Sequence, residues 1–185
     1  MMTACAAWML QGCGGAKTNS TAAADSANSA NMSDSSKMSM TTEETDAKFA
    51  VDAANGGMAE VALGKLAQNQ ATSAAVKDFA NMMVTDHSKA NDELMALAKS
   101  KNITLPDSVS NDKKDAMMDL SKKTGADFDK AYVDMMIDGH KKTIDLFEDE
   151  SKNGKDADIK AFADKTLPTI KMHLTHIQSI HDGMK

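Results

Sequence analysis

The sequence predicts an all-α protein: an up-down-up-down four-helix bundle behind a disordered N-terminal tether. Three observations predict it. Apolar residues recur at spacings of three and four in four long stretches between residues 45 and 184, the period of a helix with one buried face. Only two prolines occur in 185 residues, and Ala, Lys, Asp and Met abound while aromatics make up 4%, a composition that suits helices better than a β-sandwich. No run alternates with the period of two that a half-buried strand requires, and no repeat occurs at a solenoid period.

Residues 1–13, MMTACAAWMLQGC, are apolar and end in Leu10-Gln11-Gly12-Cys13. The ending resembles a bacterial lipobox: an aliphatic residue three before a cysteine, a small residue just before it, then the cysteine that is acylated and becomes the new N-terminus. On this reading Cys13 carries lipid, Cys5 leaves with the leader, and the mature chain keeps no free thiol, so no disulfide framework is expected. The apolar run is short and no Lys or Arg precedes it, which departs from a full signal peptide; a start codon placed too late accounts for both. No run reaches membrane-spanning length, so attachment is expected through lipid rather than a helix. Residues 14–42 are rich in Ser, Ala, Asn and Thr with almost no large aliphatics. They cannot bury enough surface to offset ordering entropy and are expected to form a flexible linker.

The bundle domain is expected over residues 43–185. Its first helix, 45–70, carries the stripe Phe49, Ala53, Gly56, Glu60, Leu63 and Ala67, with Glu44 and Asp46 as favourable acids in the first turn. A short turn at 69–72 forces the next helix antiparallel. That helix, 72–101, carries Val76, Ala80, Met83, His87, Ala90, Leu94 and Leu97, with Phe79 at the flank; Asn102 and Pro106 end it. After a connection through 107–112 comes a short amphipathic piece, 113–123, then a break at Gly125. The third main helix, 126–152, carries Val133, Met136, His140, Ile144 and Phe147. Asn153-Gly154 stops it. The fourth, 156–182, carries Ile159, Ala163, Thr166, Ile170, His173, Ile177, Ile180 and, just beyond, Met184. Pro168 lies inside this pattern and predicts a kink or a break. None of these helices is stable alone in water; packing of the four stripes supplies the stability.

Each stripe holds one residue that does not belong in an apolar core: Glu60, His87, His140 and His173. A buried carboxylate costs several kcal/mol unless it is paired or bound. Three imidazoles and a carboxylate at similar depth either hydrogen-bond one another or hold a metal ion. Glu60 lies ten residues before the first turn and His87 about fifteen after it, a height difference of about 8 Å that helix stagger can absorb. Nitrogen-rich ligation of this kind suits a single transition metal (Zn, Fe, Mn or Cu) rather than magnesium or calcium. Asp86 beside His87 is either an outer partner or a further ligand. Met83 and Met136, each one turn before a histidine, also suit copper(I), although a stripe methionine usually fills core space. His176 and His181 are weaker candidates.

A net charge of -6, with 21 cationic residues that are all lysine and spread among carboxylates, excludes a nucleic-acid-binding stripe. No nucleophilic triad, phosphate-binding glycine loop or dinucleotide fingerprint is present.

The stretches DAKFAVDAANGGMAEVALGKLA, VKDFANMMVTDHSKANDEL, YVDMMIDGHKKTIDLFE and LPTIKMHLTHI together resemble a bacterial family called domain of unknown function 4142, often labelled predicted outer membrane protein. The resemblance covers residues 46–181. It implies a ferritin-like four-helix bundle behind a signal peptide or lipid anchor, with Glu60, Asp86, His87, His140 and His173 at the family's recurring polar positions. It implies no β-barrel, since no alternating strand pattern is present. Di-iron ferritins use Glu-x-x-His on two helices plus further glutamates. Here Val84, Ile137 and Ile170 stand three before the histidines, so an oxygen-activating di-iron site is not expected. The expected function is a periplasmic protein, lipid-anchored at Cys13 to the outer membrane, that binds one metal ion without being an enzyme. The alternatives are a structural or stress-related envelope protein with a metal-free polar core, and a metal-dependent enzyme.

Overall fold

The computed structural model describes residues 19–34 and 43–184. Among them are six helices and no strand: α1 (Ser20–Asp34), α2 (Glu44–Gln70), α3 (Ala74–Ser100), α4 (Asn111–Ser121), α5 (Gly125–Asn153) and α6 (Ala157–Gly183). The leader 1–13, with the lipidation expected at Cys13, lies outside the described residues. No helix among the described residues is long and apolar enough to cross a membrane.

Helix α1 corrects the expectation of a structureless linker over residues 20–34. It lies against α2. Ala24 and Asn28 are buried, and Asn28 exchanges two bonds with the backbone of Thr104, donating Nδ2–H to its carbonyl at 3.0 Å and accepting from its N–H at 2.7 Å. Met32 packs on an apolar cluster, the Ser20 hydroxyl donates to the Ser108 carbonyl, and the Asn28 amide satisfies two backbone groups. Because α1 and α4 both cover α2, that helix packs on more than one side, and many of its buried positions are small, among them Ala47, Ala50, Ala54 and Ala59.

Residues 71–73 join α2 to α3, and residues 154–156 join α5 to α6. Each pair is an antiparallel hairpin, and α2 also packs on α5 and α3 on α6. The chain path between hairpins differs from the up-down-up-down expectation. Asp46, at the start of α2, accepts from the backbone N–H groups of Lys155 at 3.1 Å and Asp156 at 2.6 Å, in the α5–α6 turn. Asp129, at the start of α5, accepts from the N–H groups of Thr72 at 3.0 Å and Ser73 at 2.8 Å and from the Thr72 hydroxyl. The start of each hairpin thus meets the turn of the other, so α5 runs antiparallel to α2 and parallel to α3. The order is up-down-down-up. The connection 101–124 makes this possible by climbing the length of the bundle: Ile103 near its start packs in the apolar cluster at one end, and Leu120 in the cluster at the other.

The two hairpins correspond at a constant offset of 83 residues. Asp46 and Asp129, Phe49 and Tyr132, Val76 and Ile159, Phe79 and Phe162, Ala80 and Ala163, and Leu94 and Ile177 stand in matching places, and all twelve are buried. The helix ends obey local chemistry. Asn102 takes a positive φ of 55°, and the N–H of Ile103 reaches back to the Ala98 carbonyl at 2.9 Å, a left-handed C-terminal cap. Asp156 caps α6 by accepting from Asp158 and Ile159. Helix α6 runs unbroken through Pro168; the cost of that residue is one missing N–H donor, borne where flanking turns stay packed. Met184, expected on the α6 stripe, is exposed, since it lies past the last helical turn.

The core falls into two apolar clusters. One gathers Phe49, Leu94, Phe147, Ile159 and Phe162; the other Phe79, Met83, Phe128, Tyr132, Met136 and Ile177. Between them, one layer thick, lie Glu60, His87, His140 and His173, all buried.

Candidate metal centre

Each main helix delivers one polar side chain to this layer because a histidine or glutamate takes a stripe position between apolar neighbours. The heights agree by way of the reciprocal turns. Glu60 and His87 each lie fourteen residues from the start of their hairpin arms at Asp46 and Ser73, about 21 Å along the bundle from opposite ends. His140 and His173 come in at neighbouring levels from the other hairpin.

His87, His140 and His173 converge. One ligand nitrogen from each lies within 4.8 Å of the other two. The ring centroids are 5.9 Å apart for His87 and His140, 5.5 Å for His87 and His173, and 5.6 Å for His140 and His173, a nearly equilateral triangle. A point equidistant from three nitrogens 4.8 Å apart is about 2.8 Å from each, against about 2.0–2.1 Å for a zinc–imidazole bond. Ring rotations that move each nitrogen by under about 1 Å close that gap.

The outer contacts fix which nitrogen carries the lone pair. The carbonyl of Met136 can only accept, and it lies 2.8 Å from His140 Nδ1, so Nδ1 is the donor and Nε2 has the lone pair. The Asp86 carboxylate lies 2.9 Å from His173 Nε2, so that nitrogen is the donor and Nδ1 has the lone pair. The buried side-chain atoms with no partner include these two lone-pair nitrogens, His140 Nε2 and His173 Nδ1, and also His87 Nε2. Backbone-carbonyl and carboxylate partners behind the ring are the arrangement that orients metal-ligating histidines.

Burial disfavours the charged form of two of the rings. Burial, helped by repulsion from His140 and His173, holds the His87 imidazole down to about 3. Burial also lowers His173, against the raising effect of Asp86. Neutral imidazoles are the ligating form. Burial raises Glu60, opposed by His140 and Lys113, and raises the Tyr132 phenol, with Glu60 adding to it.

The structure separates the expected residues. The three histidines form the donor group. Glu60 is in the layer but not in that group: its Oε1 lies 3.9 Å from His140 Nδ1, the nitrogen facing the Met136 carbonyl, and its Oε2 is buried without a partner. Gly139 gives the carboxylate room, since a Cβ there would sit 3.3 Å from Oε1. Asp86 stands behind His173, bonded to the nitrogen opposite the lone pair. Met83 and Met136 pack in the apolar cluster. His176 is exposed, edge-on to Phe79 at 5.7 Å, and His181 lies 3.6 Å from Asp134 near the end of α6. Phe79, noted in the sequence only as a flank residue, covers one side of the triad, with its ring centroid 6.1 Å from His140 and 6.4 Å from His173. The Met136 carbonyl had no sequence signal beyond lying one turn before a buried histidine.

No curated protein and no solved structure matches the chain. A family model matches residues 27–180, which spans α2 to α6 almost entirely and brackets every residue of the layer. The chain belongs to the family described as domain of unknown function (DUF4142).

Proposed function

We propose that the protein binds one transition-metal ion in the middle of its helical core, through His87, His140 and His173. The observation that carries this reading is the set of three unpartnered ring nitrogens in one buried layer, two of them assigned the lone pair by their outer contacts. A polar layer that only fixed helix register would pair these atoms with one another, since each unpaired buried group costs about 1–3 kcal/mol. Nitrogen donors favour zinc, iron, manganese or copper over magnesium and calcium. Asp86 and the Met136 carbonyl orient two of the rings. Glu60 borders the triad, with Oε1 3.9 Å from His140 Nδ1, and stands outside the donor group.

The up-down-down-up order with one long crossover supports a ferritin-like bundle. The layer holds a single carboxylate, which favours a mononuclear binding site over a carboxylate-rich di-iron centre. The lipobox-like ending at Cys13 supports a lipid-tethered protein of the bacterial cell envelope, so the ion would be held on the periplasmic side. The role is binding: buffering, sensing or protecting.

Elemental analysis of protein purified without chelator tests the reading. One ion per chain is expected in the unmodified protein and none in His140→Ala. Protein that stays metal-free after reconstitution with each of the four metals overturns it.

A further inference from the structure

A small cavity of about 30 Å³ lies beside the triad, lined by Gly57, Glu60, His87, Ala90, Thr143 and Ile170 together with Asn91, Thr166 and apolar side chains. The correspondence of the two hairpins explains where it comes from. At the offset of 83 residues, His140 matches Gly57 and His173 matches Ala90, while Glu60 matches Thr143 and His87 matches Ile170. The first six cavity residues named above therefore belong to, or are counterparts of, the four-residue polar layer. The cavity is the place where a symmetric molecule would carry a second set of imidazoles, and in this chain two small residues stand there instead. The Asn91 amide stands beside Gly57, and a Cβ at position 57 would displace it. So a polar amide occupies the space that His140 fills in the other hairpin.

Two sides of the triad differ in consequence. Phe79 packs against His140 and His173 on one side. On the other, His87 and Glu60 both border the cavity, and His87 Nε2 and Glu60 Oε2 are buried atoms without partners. Asn91, Thr143 and Thr166 add polar groups to the lining. A water needs about 10–15 Å³ of such space and two to four polar partners, so the cavity takes two or three non-hydrogen atoms. Three protein donors leave a fourth position open on a tetrahedral ion.

We propose that this cavity is the site of a compact inorganic ligand, two or three heavy atoms long and of the azide or peroxide class, that bonds to the ion held by the three histidines and lies against Glu60. The proposal rests on the metal reading above. It makes the centre an open site reserved for small ligands and closed to organic substrates.

The test uses full-length protein loaded with one equivalent of cobalt(II), whose visible absorption reports its coordination, and sodium azide as the probe. Saturable one-to-one spectral change is expected in the unmodified protein. Ala90→Leu, which fills the cavity and leaves every imidazole in place, is expected to keep one cobalt per chain and to weaken azide at least tenfold. Thr143→Ile fills the cavity from another helix and supplies the second variant if the first fails to fold. Cobalt bound with no azide response, or azide binding equally well to unmodified and filled proteins, overturns the cavity assignment while the metal site stands. Failure of the unmodified protein to bind cobalt or any of the four candidate metals removes the metal site, and this inference with it.

Discussion

Replacing His87 by Gln in chelator-treated protein should change how stability responds to acid. The unfolded imidazole titrates near 6.5, and burial with its two ring neighbours holds the folded one down to about 3. A base whose folded pKa is depressed binds fewer protons folded than unfolded. Its stability contribution is intact above pH 6.5 and is lost as pH falls from there toward 3. With one pKa unit worth about 1.4 kcal/mol, the loss from His87 is near zero at pH 7.5, about 2 kcal/mol at pH 5 and about 3 kcal/mol at pH 4. Other groups tilt the whole curve. His173 is lowered as well. Glu60 is raised by burial, and Glu150 is raised to about 7 by burial and by Asp46, Asp149 and Asp156; buried acids of this kind lose stability as pH rises, the opposite slope. The informative quantity is therefore the difference between two proteins that differ only at position 87. Urea unfolding at pH 7.5 and pH 5 measures it. Relative to its own value at pH 7.5, the Gln variant should gain about 2 kcal/mol on the unmodified protein at pH 5. Parallel pH curves would show that His87 titrates as if solvated, and the dry three-imidazole layer would be refuted.

Three more outcomes follow from particular contacts. Asp86→Asn removes the charge behind His173 and should weaken metal binding about tenfold, read by competition with a chromophoric chelator; unchanged affinity would show that the 2.9 Å contact does not orient the ring. Asp129→Ala strips the α2–α3 turn of bonds to two N–H groups and a hydroxyl and should cost about 3 kcal/mol, or about 10 °C in Tm by calorimetry; a loss below about 1 kcal/mol would show that water replaces the carboxylate at no cost. Cys13→Ser should abolish incorporation of labelled fatty acid and move the protein from the membrane fraction to the soluble one. An unmodified protein that takes up no label defeats the lipid tether.

The three-histidine cluster was legible because an imidazole on an apolar stripe breaks a strong pattern. His87, His140 and His173 stand where leucine would, and the helical period alone put them on buried faces. Glu60 was legible as a member of the layer but not as standing apart from the donor group, since side-chain rotation carries no periodic signal. Asp86 was visible only as a neighbour in sequence; its bond to His173 joins two helices 87 residues apart. The chain order was not legible, because a connection of the length of 101–124 permits either direction and the deciding contacts are between Asp46, Asp129 and turns far away in sequence. Helix α1 escaped notice because its anchors are Ser20, Asn28 and Met32 rather than a periodic apolar face. The cavity residues Gly57 and Ala90 look like any small core residues until the two hairpins are laid over each other.

The reciprocal grip of Asp46 and Asp129 has a consequence for assembly. Neither hairpin can finish its own turn: each borrows a carboxylate from the other, so a half-chain is left with dangling amides and no partner for its apolar stripe. The triad is divided in the same way, with His87 on one half and His140 and His173 on the other. Coordination would then act as a rivet across the seam, and ion occupancy would report that both halves have come together.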